Sequence, residues 1–105
     1  MRGFRKGNRG GIVYAIFTEV NADGSHVEAA RKFLNEQAVP MVKEGGAKAA
    51  YWLGPQGGRG VSVVVFETEH EARQAAEPLK VGAQAGPHPD VTFMTVEVRE
   101  VLASL

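Results

Sequence analysis

The chain contains three histidines and no cysteine, so imidazole is its main candidate group for moving protons near neutral pH. His26 and His70 each fall in the first turn of a predicted helix. If both helices begin at the same end of a sheet, the two imidazoles and the two positive helix ends could hold an anionic or enolate oxygen. We therefore predict His26 and His70 as catalytic residues, with ordinary exposed positions as the alternative. His88 lies between two prolines and is expected to face solvent, and the histidine spacing does not predict a metal site.

Three aromatic side chains could hold a flat molecule, because tyrosine and tryptophan both pack and form hydrogen bonds. Trp52, the single tryptophan, is predicted to act in catalysis by positioning a substrate, with Tyr14 and Tyr51 as binding residues. Packing in the core or at an interface is the alternative. Tyr51 and Trp52 are adjacent on a predicted strand, so their side chains must point to opposite faces of a sheet. One of them could then line a pocket while the other meets a partner chain.

The composition is that of an ordinary globular domain. The 105 residues are 44% hydrophobic and 23% charged, which predicts one folded domain rather than a disordered chain. The longest apolar run is too short to span a membrane, and no signal-peptide segment follows the basic N-terminus. We therefore expect a cytoplasmic location without membrane contact. The lack of cysteine excludes disulfides and thiolate chemistry.

Residues 1–11, MRGFRKGNRGG, predict a flexible basic tail ahead of a single domain over residues 12–105. The tail carries four of the twelve basic residues, leaving eight basic and twelve acidic residues in the domain. A basic tail could bind nucleic acid through counterion release. Because the domain is mildly acidic and does not continue the basic character, we do not expect nucleic-acid binding.

Four segments have the β-branched and aromatic character of strands. The second and third flank the glycine-rich stretch GPQGGRG at residues 54–60. A phosphate-binding loop would lead into a helix, whereas this stretch leads into the apolar segment VSVVVF. It therefore predicts a β-hairpin in which Pro55 sets the turn. The predicted strands cover residues 12–20, 47–54 and 61–68, and a last segment that begins at residue 91.

The first predicted helix begins near Ser25, which forms a capping box with Glu28. Pro40 should kink or break this helix near Val39, because proline lacks an amide donor and crowds the preceding turn. The glycine pair Gly45–Gly46 should then end it.

The second predicted helix begins at Thr68, which forms a capping box with Glu71. Glu69 and Arg73 should pair across one turn of this helix, which ends at Pro78. The segment that follows is rich in proline and glycine and predicts a surface loop.

The order of the predicted elements is β-α-β-β-α-β, which is the ferredoxin-like pattern of the α+β class. Such units place two helices on one face of a four-stranded antiparallel sheet. We further expect the first and third strands to lie side by side and parallel, which puts the two helix starts at the same end. The other face is left bare although several strands are apolar on both sides. We therefore predict a homodimer in which two bare faces pack together.

This order resembles the dimeric α+β barrel superfamily, and within it the antibiotic biosynthesis monooxygenase-like group. The segments that carry the resemblance are PMV in the first helix, YWLG, FETEHEARQA and the final VEVREVL, over roughly residues 12–102. It implies a homodimer that binds a small, flat, apolar or aromatic molecule, and a cofactor-free monooxygenase or a related enzyme. The monooxygenases of aromatic polyketides use a pocket tryptophan, asparagine and arginine, which implies substrate contacts for Trp52, Asn35 and Arg31.

Two other functions stay open. A non-enzymatic ligand-binding or assembly module would need only the dimer. Haem-degrading members of the superfamily use a helix-borne histidine, which leaves haem binding or degradation as a third possibility. Here His26 and His70 both lie in first turns, and the first strand opens with Gly11-Ile12-Val13 where the stress-responsive branch has a histidine. These differences favour a protein without a cofactor.

Overall fold

The computed structural model describes residues 12–105, and the chain has the α+β class that the sequence predicts. The strands are β1 Val13–Asn21, β2 Ala49–Gln56, β3 Arg59–Phe66 and β4 Phe93–Val101; the helical segments are α1 Val27–Phe33, a π-helical segment Leu34–Ala38, α2 Val39–Glu44 and α3 Glu69–Ala76. The four strands form one antiparallel sheet in the order β2-β3-β1-β4. The basic tail predicted for residues 1–11 lies outside the described residues. None of the described helices has the length and apolar character needed to cross a membrane.

The prediction of parallel first and third strands was wrong, because β1 and β3 pair antiparallel along their whole length. Tyr14 lies opposite Phe66 at one end, and Asn21 lies opposite Arg59 at the other. The first helix returns the chain so that β2 runs in the direction of β1, and the hairpin then reverses β3. The connections that lead from β1 to α1 and from β3 to α3 therefore leave opposite ends of the sheet.

The β2–β3 hairpin is confirmed, but its turn lies at a different place from the predicted one. Gly57 and Gly58 form a two-residue turn with φ values of +63° and +80°, a combination that glycine adopts without steric cost. Pro55 instead belongs to β2, where the register with β3 shifts between Leu53 and Gln56. Proline is tolerated there because such an irregularity does not require its missing amide donor.

The interruption of the first helix before Pro40 is confirmed. The helix widens into the five-residue π-helical segment and then resumes as α2, with Pro40 in its first turn. Proline is compatible with the first turn of a helix, where the amide has no intrahelical partner. The sequence position of one proline thus explains why the first helix has two α-helical parts.

The capping box predicted at Ser25 was wrong. The Ser25 hydroxyl and amide both donate to Asp23 Oδ1, at 2.6 and 2.9 Å, so Ser25 takes part in a local turn. The helix begins two residues later, at Val27, with His26 at the N-cap position and no side-chain cap bond.

The start of α3 follows the sequence prediction. Thr68 Oγ1 accepts a hydrogen bond from the Glu71 amide at 3.1 Å, which satisfies one of the free donors at the helix start. Glu69 pairs with Arg73 at 2.8 Å, as the spacing predicts. Both features hold α3 at the end of the sheet where β3 finishes.

The packed core lies between α3 and the sheet. Its buried members are Ile16 on β1, Val64 and Phe66 on β3, and Ala72 on α3. Phe66 and Ala72 are both fully buried. Because the Ala72 side chain is small, α3 can lie close to the sheet at this position. The even-numbered residues of β1 and β3 therefore face the helices, and the odd-numbered residues face the other way.

Gly46 lies between α2 and β2 in the chain and is close to Glu71 in the first turn of α3. It has φ +100°, its amide donates to the Lys43 carbonyl at 3.1 Å, and the Ala47 amide donates to the Val42 carbonyl at 2.9 Å. This is a Schellman end, in which a left-handed residue satisfies the last helical carbonyls. A Cβ atom added to Gly46 would lie 2.8 Å from Glu71 Oε2.

We predict that Gly46→Ala lowers the free energy of unfolding by about 1–2 kcal/mol, the cost of a left-handed alanine. Gly54→Ala is the matched control, because a Cβ at Gly54 meets no atom within 4 Å and its φ is not positive. It should change stability by less than about 0.5 kcal/mol. Urea unfolding of both variants measures the difference, and equal losses would contradict the assigned role of Gly46.

Candidate functional site

One transverse row of side chains on the helix-facing side of the sheet is partly polar. Trp52 on β2 pairs with Ser62 on β3, Ser62 pairs with Thr18 on β1, and Thr18 pairs with Val96 on β4. We call these four residues the polar row. The next row, in which Ile16 and Val64 are opposite each other, is apolar and belongs to the core. The polar row therefore lies beside the core, on the side towards the C-terminal end of β1.

The two hydroxyl groups of the polar row are buried and bonded to each other. Thr18 is 5% exposed and Ser62 is 6% exposed, and their oxygens lie 2.5 Å apart. Each hydroxyl has one hydrogen to donate, and their mutual bond uses only one of the two. Within residues 12–105 no further partner accepts the other hydrogen. Each oxygen has the other as its partner, so removing one of the two hydroxyls would leave the other buried and unpaired, at a cost of about 1–3 kcal/mol.

α1 is less buried than α3, whose Ala72 is part of the core. Val27, Ala30, Phe33 and Leu34 follow helical spacing, and all four are only half-buried. No residue of α1 is buried, and none of these four side chains belongs to the core cluster. α1 therefore contributes no side chain to the described core.

The π-helical segment continues α1 directly, and π-helical turns are frequent at functional sites. It contains Asn35, whose side-chain amide donates to the Arg31 carbonyl at 2.9 Å. Arg31 in turn contacts both oxygens of Glu28 at 3.4 Å. Arg31 and Asn35, predicted from the resemblance to contact substrate, are both exposed and are bonded to their own helix.

His26 and His88 form a stacked pair at the start of α1. Their ring centroids lie 3.6 Å apart, with an angle of 25° between the planes. His88 Nδ1 also accepts a hydrogen bond from the Asp90 amide at 3.2 Å, which fixes its ring orientation. His88 was predicted to face solvent; one side of its ring packs on His26, and 34% of the side chain is exposed.

Residues 79–92 form a loop that closes this end of the helix–sheet layer, and we call it the closing loop. Thr92 at its end donates from its amide to Asn21 Oδ1 at 2.6 Å, and the Asn21 amide donates to the Thr92 carbonyl at 3.2 Å. Gly86 in its middle lies against Phe33 of α1, with 3.8 Å between the ring and an added Cβ. Together with the His26 stack, these contacts join the loop to both β1 and α1.

Asp23 places a carboxylate close to this histidine pair. The Ser25 hydroxyl and then the Ser25 amide, both donating to the carboxylate, lower the pKa of Asp23, and the charge of His26 adds to the effect. Hydrogen bonds to the charged form favour ionisation. Asp23 is therefore a stable negative charge at the start of α1.

His70 lies at the other end of the sheet, so the predicted two-histidine site does not form. Because β1 and β3 are antiparallel, α1 and α3 begin at opposite ends, about 20 Å apart by the rise of the intervening strand residues. His70 lines an open groove of about 460 Å³ with Arg73, Gln74 and Glu77 on the exposed side of α3. Arg73 is already paired with Glu69 there.

The aromatic residues divide between the two faces of the sheet, as predicted for Tyr51 and Trp52. Trp52 is half-buried and faces the helices within the polar row, whereas Tyr51 is 65% exposed on the opposite face. Tyr14 is half-buried, packs against the core and lies opposite Phe66, away from the polar row. Of the seven predicted site residues, Trp52 is in the polar row and His26 is at the same end of the sheet.

Comparison of the chain with protein-family models, curated proteins and solved structures finds no match. The family therefore stays a proposal. Among residues 12–105, no group of three or more histidine, aspartate or glutamate side chains could hold a metal ion.

The sequence interpretation did not identify Thr18 and Ser62 as a buried hydroxyl pair. Ser62 was tested there only as a nucleophile, for which no histidine and carboxylate partners are in evident spacing. The available signal was that each is the single small polar residue on the helix-facing side of an otherwise apolar strand segment. Their contact depends on the register of β1 and β3, which the sequence did not provide.

We predict that Thr18→Val alone lowers the free energy of unfolding by about 1 kcal/mol, because it leaves the buried Ser62 hydroxyl without a partner. The double variant Thr18→Val with Ser62→Ala removes both polar groups and should be close to wild type or more stable. Chemical denaturation of both single variants and the double variant measures the coupling. Losses that simply add would show that the two hydroxyls do not act as a pair.

Proposed function

We propose that this chain is a homodimeric, ferredoxin-like α+β barrel protein that binds a small, flat, apolar or aromatic molecule between α1 and the polar row. The observation that carries the proposal is the buried Thr18–Ser62 hydroxyl pair beside Trp52 on the helix-facing side of the sheet. An apolar surface with few polar groups is the usual lining of a small-molecule site. The strand order and element order also support the resemblance to the antibiotic biosynthesis monooxygenase-like group.

The proposed reaction is oxygenation of the bound molecule by O2 without a cofactor: one oxygen atom enters the substrate, and the other leaves as water with two hydrogens that the substrate supplies. A rearrangement that starts with proton transfer is the alternative reaction. In this scheme Trp52 positions the ring, and a histidine moves the proton that leaves the substrate. His26 is the better candidate of the two predicted histidines, since it lies at the end of the sheet where the polar row lies. His70 lies beyond the opposite end of β3, after Phe66.

A non-enzymatic binding module is the second candidate. It is favoured by one observation: within residues 12–105 no imidazole or carboxylate is hydrogen-bonded to the Thr18–Ser62 pair. Such a protein would bind the same kind of molecule without changing it. Ligand binding is common to both candidates, and only turnover distinguishes them.

The homodimer is proposed from the face of the sheet turned away from the helices. This open face carries Tyr51 and Leu53, which are 65% and 59% exposed, and half-buried Phe17, Val61 and Val63. Each large apolar side chain left in water forgoes about 1.5–3 kcal/mol of burial free energy. A second copy of the same face is the simplest cover, because an isologous contact matches one apolar patch with itself.

The side of the open face formed by β4 is polar and supplies a rim for the proposed contact. Glu97 pairs with Arg99 at 3.7 Å. Glu19 on β1 accepts from Thr95 at 2.8 Å and pairs with Arg59 at 3.3 Å. An apolar centre with a charged rim is the usual anatomy of a protein interface, and the rim charges would set how the two sheets align.

We predict that Leu53→Lys converts the dimer to monomer, because the isologous contact would bury two added charges. Val81→Lys is the matched control: Val81 is a similarly exposed apolar residue, at 66%, but it lies in the closing loop and outside the sheet. Size-exclusion chromatography with light scattering distinguishes the two states. A monomeric wild type, or a dimeric Leu53→Lys variant, would contradict the proposed interface.

We predict that the protein consumes oxygen when incubated with a dihydroxyanthracene-type substrate, and that Trp52→Phe lowers the rate by about tenfold or more through lost positioning. His26→Gln should lower the rate more than His70→Gln, because only His26 lies at the end of the proposed site. An oxygen electrode measures the uptake. Binding without uptake supports the non-enzymatic module, and unchanged uptake in the Trp52 and His26 variants contradicts the assigned site.

A further inference from the structure

We propose that the stacked pair of His26 and His88 is a pH-sensitive latch. It holds residues 86–90, the tip of the closing loop, against α1 when both rings are neutral, and it releases the tip when both are protonated. The ring centroids lie 3.6 Å apart, and the two residues come from different elements, one from the start of α1 and the other from the loop. The latch does not depend on a ligand, so it is separate from the proposed function.

The base of the closing loop is held by backbone hydrogen bonds. The Gly82 amide donates to the Phe93 carbonyl at 2.8 Å, and the Ala85 amide donates to the Val91 carbonyl at 2.8 Å. Backbone amides and carbonyls do not titrate, so these bonds persist as the pH falls. The tip beyond them reaches α1 through the histidine stack and through Phe33, which lies against the loop backbone. The tip is therefore the part of the loop that a change in histidine charge can move.

The hydrogen bond at His88 shows that the neutral ring fits the closed tip. His88 Nδ1 accepts from the Asp90 amide at 3.2 Å, and an imidazole nitrogen can accept only while it carries no proton. A proton added at low pH binds this nitrogen and removes the acceptor. Asp90 Oδ2 lies 3.9 Å from the same nitrogen, so its carboxylate attracts the protonated ring.

The charged side chains around the pair come from the turn, the helix and the loop. Asp23, in the turn before α1, interacts electrostatically with the histidine at the helix start, and Asp90 lies beside the histidine of the loop. Glu28 and Arg31 on α1 are paired with each other at 3.4 Å. β1 contributes the uncharged Asn21, which binds the end of the loop. Each ring of the pair thus has one carboxylate of its own.

These charges determine the direction of the pH effect. Each carboxylate favours the protonated form of the ring beside it, whereas two protonated rings in contact repel each other. Separation of the rings removes the repulsion, so the open tip binds more protons than the closed tip. Closure of the tip is therefore complete at high pH and is lost as the pH falls from about 8 to 5, the range in which histidine side chains titrate.

The test follows nuclear Overhauser contacts by NMR at pH 8 and pH 5. Contacts between Gly86 and the Phe33 ring report the closed tip, and contacts between Gly82 and Phe93 report the base. We expect the ratio of closed to open tip to fall about fivefold or more at pH 5, the factor for two unit charges about 4 Å apart in water. The contacts of the base should stay unchanged.

Variants determine whether the histidine pair causes the change. His26→Gln and His88→Gln each remove one titrating ring, so the contact of the tip with Phe33 should no longer depend on pH. His26→Phe keeps a flat ring without a charge, which does not repel a protonated partner, so the tip should stay closed at pH 5. His70→Gln on α3 is the matched control and should keep the pH dependence of the wild type.

Equal tip contacts at pH 8 and pH 5 in the wild type would overturn the latch. The wild-type pH dependence in His26→Gln or His88→Gln, or its loss in His70→Gln, would also overturn it, because the histidine pair would then not be the titrating element. Loss of the base contacts together with the tip contacts would show general unfolding instead of a latch. These outcomes do not involve ligand binding, so they leave the proposed function to its own test.

Discussion

The antiparallel pairing of β1 with β3 on one side and β4 on the other is the constraint on which the rest of the structure depends. Side chains alternate along a strand, so this register decides which residues share a row and which face each row occupies. It places Ile16 beside Val64 in the core and Thr18 beside Ser62 one row away. A slip of one residue would exchange the helix-facing set for the open-face set. The core, the polar row and the open face are therefore consequences of one pairing.

Local features could be predicted from the sequence with good success, because they depend on residues close together in the chain. The Thr68 cap, the Glu69–Arg73 pair and the interruption before Pro40 all follow from chemistry within a few residues. The hairpin was also predicted, although the turn uses the glycine pair that follows Pro55. The Ser25 cap failed for an equally local reason: Asp23 accepts from the Ser25 amide, which Glu28 would bond in a capping box, and from the Ser25 hydroxyl.

The candidate site could not be predicted in the same way, because its groups come together across long separations. The direction of β3 relative to β1 determines that His26 and His70 are far apart, and the sequence interpretation took the wrong direction. The stack of His26 on His88 depends on where the closing loop returns to the sheet. Trp52 was predicted as a site residue from its side chain alone. Thr18 and Ser62 are ordinary residues by themselves, and only the register of β1 and β3 brings their hydroxyls together.

The two-glycine hairpin has a consequence for the order in which the molecule folds. Short hairpins form within about 1–10 μs, long before contacts between distant parts of a chain are established. The turn at Gly57 and Gly58 brings Trp52 opposite Ser62 with only nine residues between them. Thr18 and Val96 belong to distant strands and have to close much longer loops, which is slower. We therefore expect Trp52 and Ser62 to come together early, when the hairpin forms. The Thr18–Ser62 pair forms only when β1 docks between β3 and β4.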